Sequence, residues 1–152
     1  MATPRLNAER IVLWRQLDLV TASIRRSIDV ELADDGEPTL AWFQVLSALR
    51  DRGTIRVGEL CEAVDEVPSS LSRRLDRMEQ EGLIERSALV SNDGAADDRR
   101  AVVVSVTSLG RQTWRDASVT FRRALQAQFA SHLDDADVAA LERIVAKLGG
   151  AG

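Results

Sequence analysis

The sequence predicts a mainly α-helical protein with one small β-hairpin, set between helices at both ends of the chain. Three observations carry that expectation. An amphipathic stripe runs through Leu13, Trp14, Leu17, Val20, Thr21, Ile24, Ile28 and Leu32 at 3–4 residue spacing. A basic, serine-led segment from Pro68 to Glu81 is followed by two β-prone runs, Leu83–Arg86 and Val102–Val106. Helical periodicity then resumes after Thr107 and continues to Leu148.

The first helix, from about Asn7 to Leu32, would reach roughly 39 Å at ~1.5 Å per residue. That exceeds what so small a domain needs internally, so a partner subunit is the natural cover for the excess. Asp34-Asp-Gly-Glu-Pro38 is turn chemistry. Thr39 is placed to cap a second helix bearing Trp42, Val45, Leu46 and Leu49, with Gly53 just past its end. Thr54–Val57 reads as a short strand. Val57, Leu60, Cys61 and Val64 then give a third helix its apolar face, and Asp65-Glu66-Val67 turns the chain into the Pro68 helix. Thr107 is placed to cap a fifth helix with Leu109, Trp114, Ala117, Phe121, Leu125 and Phe129 on its apolar side. Asp134 or Asp135 caps a last one carrying Val138, Leu141, Val145 and Leu148.

The 152 residues carry a formal net charge of −4. No global pull toward polyanions follows from that balance, so affinity for nucleic acid has to come from local placement of cations. Lys147 is the only lysine among twenty basic residues. So general an arginine bias reflects coding composition rather than a site. A single cysteine, Cys61, and a single histidine, His132, exclude an internal disulfide and a metal cage built from either residue type. No cofactor is expected. The N-terminal region lacks a signal-peptide pattern and no apolar run approaches a membrane span, so the expected location is the cytoplasm.

The Pro68 helix has the most informative surface. With Leu71 at zero and 100° per residue, Leu75, Met78 and Gly82 fall within ~40° of it and form the core face. Ser69, Arg73, Asp76, Arg77 and Gln80 cluster opposite, with Ser70 and Arg74 on the flank toward Arg77. Short hydroxyls at the N-terminus let the backbone approach phosphates, and arginines further along reach guanine edges or more phosphates. A solvated face rich in arginine gives the same pattern in isolation. The short helix before it and the hairpin after it favour the DNA groove.

In the hairpin, Asn92-Asp-Gly94 is a turn signal. At its base Asp98 precedes Arg100 by two residues, a spacing that lets a carboxylate aim a guanidinium into a minor groove. A surface ion pair tethering the hairpin is the plainer reading, and the two are compatible.

Asp98-x-Arg100-x-x-x-Val104-x-Val106-Thr107-x-x-Gly110 resembles the wing signature of the MarR family of bacterial transcriptional regulators. Leu75–Arg86 is similar to that family's passage from recognition helix to wing. The resemblance covers essentially the whole chain in element order. It implies one domain over 1–152: a winged helix-turn-helix at 39–107, flanked by dimerisation helices at 7–33 and 108–148. Ser69, Ser70, Ser72, Arg73, Arg74 and Arg77 become the groove-facing residues. Asp98 orients Arg100 as the wing arginine, and Arg99 contacts phosphate. The implied protein is a homodimeric, ligand-relieved repressor reading a pseudo-palindromic operator in double-stranded DNA. One departure stands out: the interval between Gly82 and Asp98 is longer than is usual in the family and its extra material, around Ala88–Ala96, adds no cation, so that material is expected to be disordered rather than to reach further along DNA.

The family often binds small aromatic or anionic effectors. Trp14, Arg15, Trp42 and Trp114 would line such a pocket, with Arg15 pairing a carboxylate, although tryptophans at helical spacing are more often core. Cys61, on the apolar face of the third helix, reads as inert packing. The family's hydroperoxide sensors carry their reactive cysteine on the first helix, and none stands there. Nothing in the sequence pairs a nucleophile with a base or cradles a phosphate in a glycine loop, so an enzyme is not expected. The alternative function is a winged-helix module that binds a protein rather than DNA.

Overall fold

The computed structural model describes residues 5–88 and 102–150. They form two compact units. One is Leu32–Thr120, and the other combines the chain up to Glu31 with the chain from Phe121 onward. The elements are α1 (Ala8–Asp34), α2 (Leu40–Arg52), β1 (Ile55–Arg56), α3 (Val57–Val64), α4 (Pro68–Gln80), β2 (Ile84–Ala88), β3 (Val102–Val106), α5 (Ser108–Gln128) and α6 (Asp135–Gly149), with a 3-10 turn at Ala130–His132.

Most helix boundaries lie where the capping residues put them. The Asn7 side chain accepts the Arg10 amide at 2.9 Å at the start of α1. Thr39 accepts from the Trp42 amide, and Asp134 and Asp137 form a reciprocal capping box at α6. β1 is shorter than the expected Thr54–Val57 strand. The Glu59 carboxylate accepts the Arg56 amide at 2.9 Å, so the chain enters α3 at Val57.

The unit Leu32–Thr120 contains the sheet, in order β1-β3-β2 and antiparallel throughout. β1 adds Ile55 opposite Val104, and β2 pairs with β3 from Ile84↔Val106 to Ala88↔Val102. Beneath it lies a core of Leu46, Leu49, Leu60, Leu71, Leu75 and Met78, each fully buried. Cys61 belongs to the same core, as its helical position implied.

The other unit is organised differently. Ile28, late in α1, is buried, and Glu31 pairs with Arg123 of α5 at 3.5 Å. The first half of the α1 stripe is open: Leu13, Trp14, Leu17 and Val20 are all exposed, Trp14 at 70%. Val138, Val145 and Leu148, three of the four residues expected on the apolar face of α6, are exposed as well. Among the described residues no helix is long and apolar enough to cross a membrane, and no cluster of metal-ligating side chains occurs.

Candidate nucleic-acid interface

Helix α4 begins where Asp65 takes a left-handed conformation (φ 52°) and Val67 an extended one, with Pro68 in the first turn, where a missing N–H costs nothing. Leu71, Leu75 and Met78 anchor it in the core. Its C-terminus closes as a Schellman motif. The Leu83 amide donates to the Met78 carbonyl at 2.9 Å, and the Gly82 amide to the Glu79 carbonyl at 2.9 Å. Gly82 sits at φ 73°, where a side chain would be strained, and Leu83 beyond it is buried.

The hairpin is fastened to this turn. The Thr107 hydroxyl donates to the Gly82 carbonyl at 2.6 Å and accepts the Gly110 amide at 3.0 Å, so one side chain caps α5 and ties it to the end of α4. A Cβ at Gly110 would lie 2.0 Å from the Leu83 carbonyl oxygen, so only glycine allows this approach. The Thr-x-x-Gly signature therefore has a packing cause.

With its inner face held, α4 presents the predicted outer face. Ser69, Ser72, Arg73 and Arg77 are exposed, while Ser70 and Arg74 are partly buried. Arg73 and Arg77 make no ion pair among the described residues. The Arg73 guanidinium donates only to the Ser69 carbonyl, at 3.3 Å. Arg74 differs: it pairs with Glu66, on the turn before the helix. Arg73, Arg74 and Arg77 line a cleft of about 250 Å³ together with Ser70 and Trp42. The expected wing residues Asp98, Arg99 and Arg100, the Asn92–Gly94 turn and most of the lengthened interval lie outside the described residues.

Sequence reasoning missed one constellation here. Arg86, on β2, reaches back to α4, with its guanidinium 2.7 Å from Asp76 and 2.5 Å from Glu79. The Arg86 backbone amide donates to the other Glu79 oxygen at 3.1 Å. Hydrogen bonding from Arg86 holds the Glu79 carboxyl below the usual carboxylate range, and the same contacts raise the Arg86 guanidinium. The available signal was two acids, Asp76 and Glu79, off the core face of an otherwise basic helix, with an arginine shortly beyond the turn.

The four residues expected around an effector divide among separate places. Trp14 and Arg15 are exposed on α1, in the unit that excludes the winged region. Besides the basic cleft, Trp42 lines one of about 510 Å³ with Glu37, Glu81 and Asp116. Burial, then Asp116 and Asp35, push the Glu37 carboxyl up. Trp114 is stacked on Phe43 and donates from Nε1 to Ser47 at 2.9 Å. The Arg50 guanidinium lies 4.0 Å over its ring, and Arg111 and Arg115 complete the rim of a small cleft of about 150 Å³.

Known proteins share both the sequence pattern and the architecture. The family model for the MarR family matches residues 39–93, from the cap of α2 into the hairpin. The HTH-type transcriptional repressor MdtR of Bacillus subtilis is 28% identical over 139 residues, which span 90% of this chain and 85% of that protein. Residues 39–93 carry the MarR-family pattern. A mutant MarR from E. coli, solved in complex with operator DNA, superposes with a TM-score of 0.78 at 26% identity, over 95% of this chain and 99% of that one. Sco3205, a MarR family transcriptional regulator from Streptomyces coelicolor solved in complex with DNA, gives 0.81 at 21% identity, covering 98% and 91%; at that identity the likeness speaks for the fold. The chain is thus similar, over nearly its whole length, to MarR-family transcriptional regulators of winged-helix architecture, which are DNA-binding regulators rather than enzymes.

Proposed function

We propose that the protein is a homodimeric repressor that reads an inverted-repeat operator, with α4 in the major groove and Arg100 of the wing in the adjacent minor groove. In this reading both compact units form one functional module: 39–107 binds DNA, and the helices within 7–33 and 108–148 hold two copies together. The carrying observation is the outer face of α4, where Ser69 and Ser72 precede two exposed arginines, Arg73 and Arg77, that have no acidic partner among the described residues. The exposed apolar face of α1 supports the second copy. The name of the relative MdtR supports repression.

Operator binding should weaken steeply with salt, and loss of each phosphate contact should lower the log–log slope by about 0.9. Arg73→Ala and Arg77→Ala should each cost roughly tenfold or more in affinity. Salt-insensitive binding, or none across a duplex library, favours a protein partner instead. Footprints should show half-sites centred about 34 Å apart.

Relief by a small aromatic or anionic effector completes the proposal. Of the clefts lined by the expected tryptophans, the one at Trp114 joins an aromatic wall to Arg50, Arg111 and Arg115, charges that suit such a compound. Salicylate added to the operator complex tests this. Release in the wild type, but not in Arg111→Ala, is expected, and no release in either removes the effector from the reading.

A further inference from the structure

Five charged side chains of α4 lie off its core face: Arg73, Arg74, Asp76, Arg77 and Glu79. A helix that approaches a polyanion carries carboxylates at a cost, because each repels phosphate as strongly as an arginine attracts it. Glu66 already pairs with Arg74. If Asp76 and Glu79 stood alone, their two negative charges would cancel those of Arg73 and Arg77, leaving the presented face without net attraction.

Arg86 offsets one of those two negative charges and engages both carboxylates. It comes from β2, outside the helix, and meets both acids: Asp76 at 2.7 Å, and Glu79 at 2.5 and 2.9 Å through two guanidinium nitrogens. Its backbone amide takes the remaining Glu79 oxygen. The guanidinium side chain is only 27% exposed, more covered than either acid. Several hydrogen bonds from one planar fork give a fixed geometry that a single loose surface pair lacks. The same contacts fasten the first wing strand to the helix.

We propose that Arg86 is a positioning residue for DNA recognition. It screens Asp76 and Glu79 from the phosphate backbone and locks β2 to α4, so that helix and wing meet DNA as one piece whose face keeps a net positive charge. The proposal rests on the reading of α4 as the groove-entering helix. It differs from that reading in placing a required cation where it touches no DNA.

The test uses the full chain and a duplex selected by the wild-type protein from a random-sequence pool. Affinity is measured by fluorescence anisotropy for wild type, Arg86→Ala, Asp76→Asn with Glu79→Gln, and the variant carrying all three substitutions. Arg86→Ala should bind about tenfold more weakly, the effect of one lost positive charge and two acids left without their partner. The neutral triple variant should recover most of that loss, and thermal melts of the same samples confirm that each is folded. Recovery separates screening from a purely structural role, because Asp76→Asn and Glu79→Gln remove negative charge and restore none of the packing lost with the Arg86 side chain. A triple variant as weak as Arg86→Ala overturns the proposal, as does Arg86→Ala at wild-type affinity. A wild-type chain that selects no duplex overturns the DNA reading first, and the proposal with it.

Discussion

Helices α1 and α4 each bury part of their surface and leave the rest open, but the open residues have opposite chemistry. On α4 the open residues are serines and arginines, held over a core of Leu71, Leu75 and Met78. On α1 they are Leu13, Trp14, Leu17 and Val20, repeating at the spacing that a packed helix would bury. A cationic face is complementary to a polyanion and loses its attraction in salt. An apolar face of that size is costly in water and calls for another protein surface. The composition of what each helix leaves uncovered is the basis of the proposed function, in which DNA covers α4 and a second copy covers α1.

The contrast breaks most visibly at α1. Replacing Trp14 and Leu17 together by glutamate puts two charges into the proposed dimer contact. Sedimentation should then show monomers, and operator affinity should fall roughly 10²–10⁴-fold as two linked half-sites become one. A variant that stays dimeric and binds normally would assign the α1 face to something else. Arg73→Ala and Arg77→Ala probe the other side at smaller cost, roughly tenfold or more each. These two should lower the salt slope and leave the sedimentation coefficient unchanged. If salt moves dimerisation and operator binding alike, the division of labour between the helices is wrong.

How much of this was legible in the chain differs by element, for physical reasons. The helices announced themselves through period and caps: Thr39, Thr107 and Asp134 each accept the amide their position implied. Burial of Leu71, Leu75 and Met78 followed from angles alone, because a helix fixes which residues share a face. What spacing cannot give is the partner of a side chain on another element. Arg86 meets Asp76 and Glu79 only because the Gly82 turn folds β2 back along α4. Arg74 looked as available as Arg73, yet it faces Glu66 and is half-buried. The tryptophans were ambiguous for the same reason, since periodicity says that Trp114 packs but not that Phe43, Ser47 and Arg50 surround it.

A pH titration makes the smallest and most discriminating comparison, because two carboxylates of the winged unit respond with opposite sign. Glu79 is held below its ordinary value of 4.5 by Arg86, so its ionised form is favoured by folding. That contribution is present above about pH 4.5 and is lost as pH falls through the lowered value. Glu37 is pushed above 4.5 by burial and by Asp116 and Asp35, so folding favours its protonated form. Its contribution is present below about 4.5 and is lost as pH rises through the raised value. Each effect should be below about 1 kcal/mol, since the Glu79 pair and Glu37 both retain partial contact with solvent, which screens them. Melting curves should therefore show Glu79→Gln destabilised at pH 7 and converging on wild type in strong acid. Glu37→Gln should be more stable than wild type at pH 7 and lose that advantage below pH 4. If both variants shift the melting temperature in the same direction at pH 7, the charges around Asp76, Glu79 and Arg86 do not hold α4 as described, and the electrostatic account of its open face fails with them.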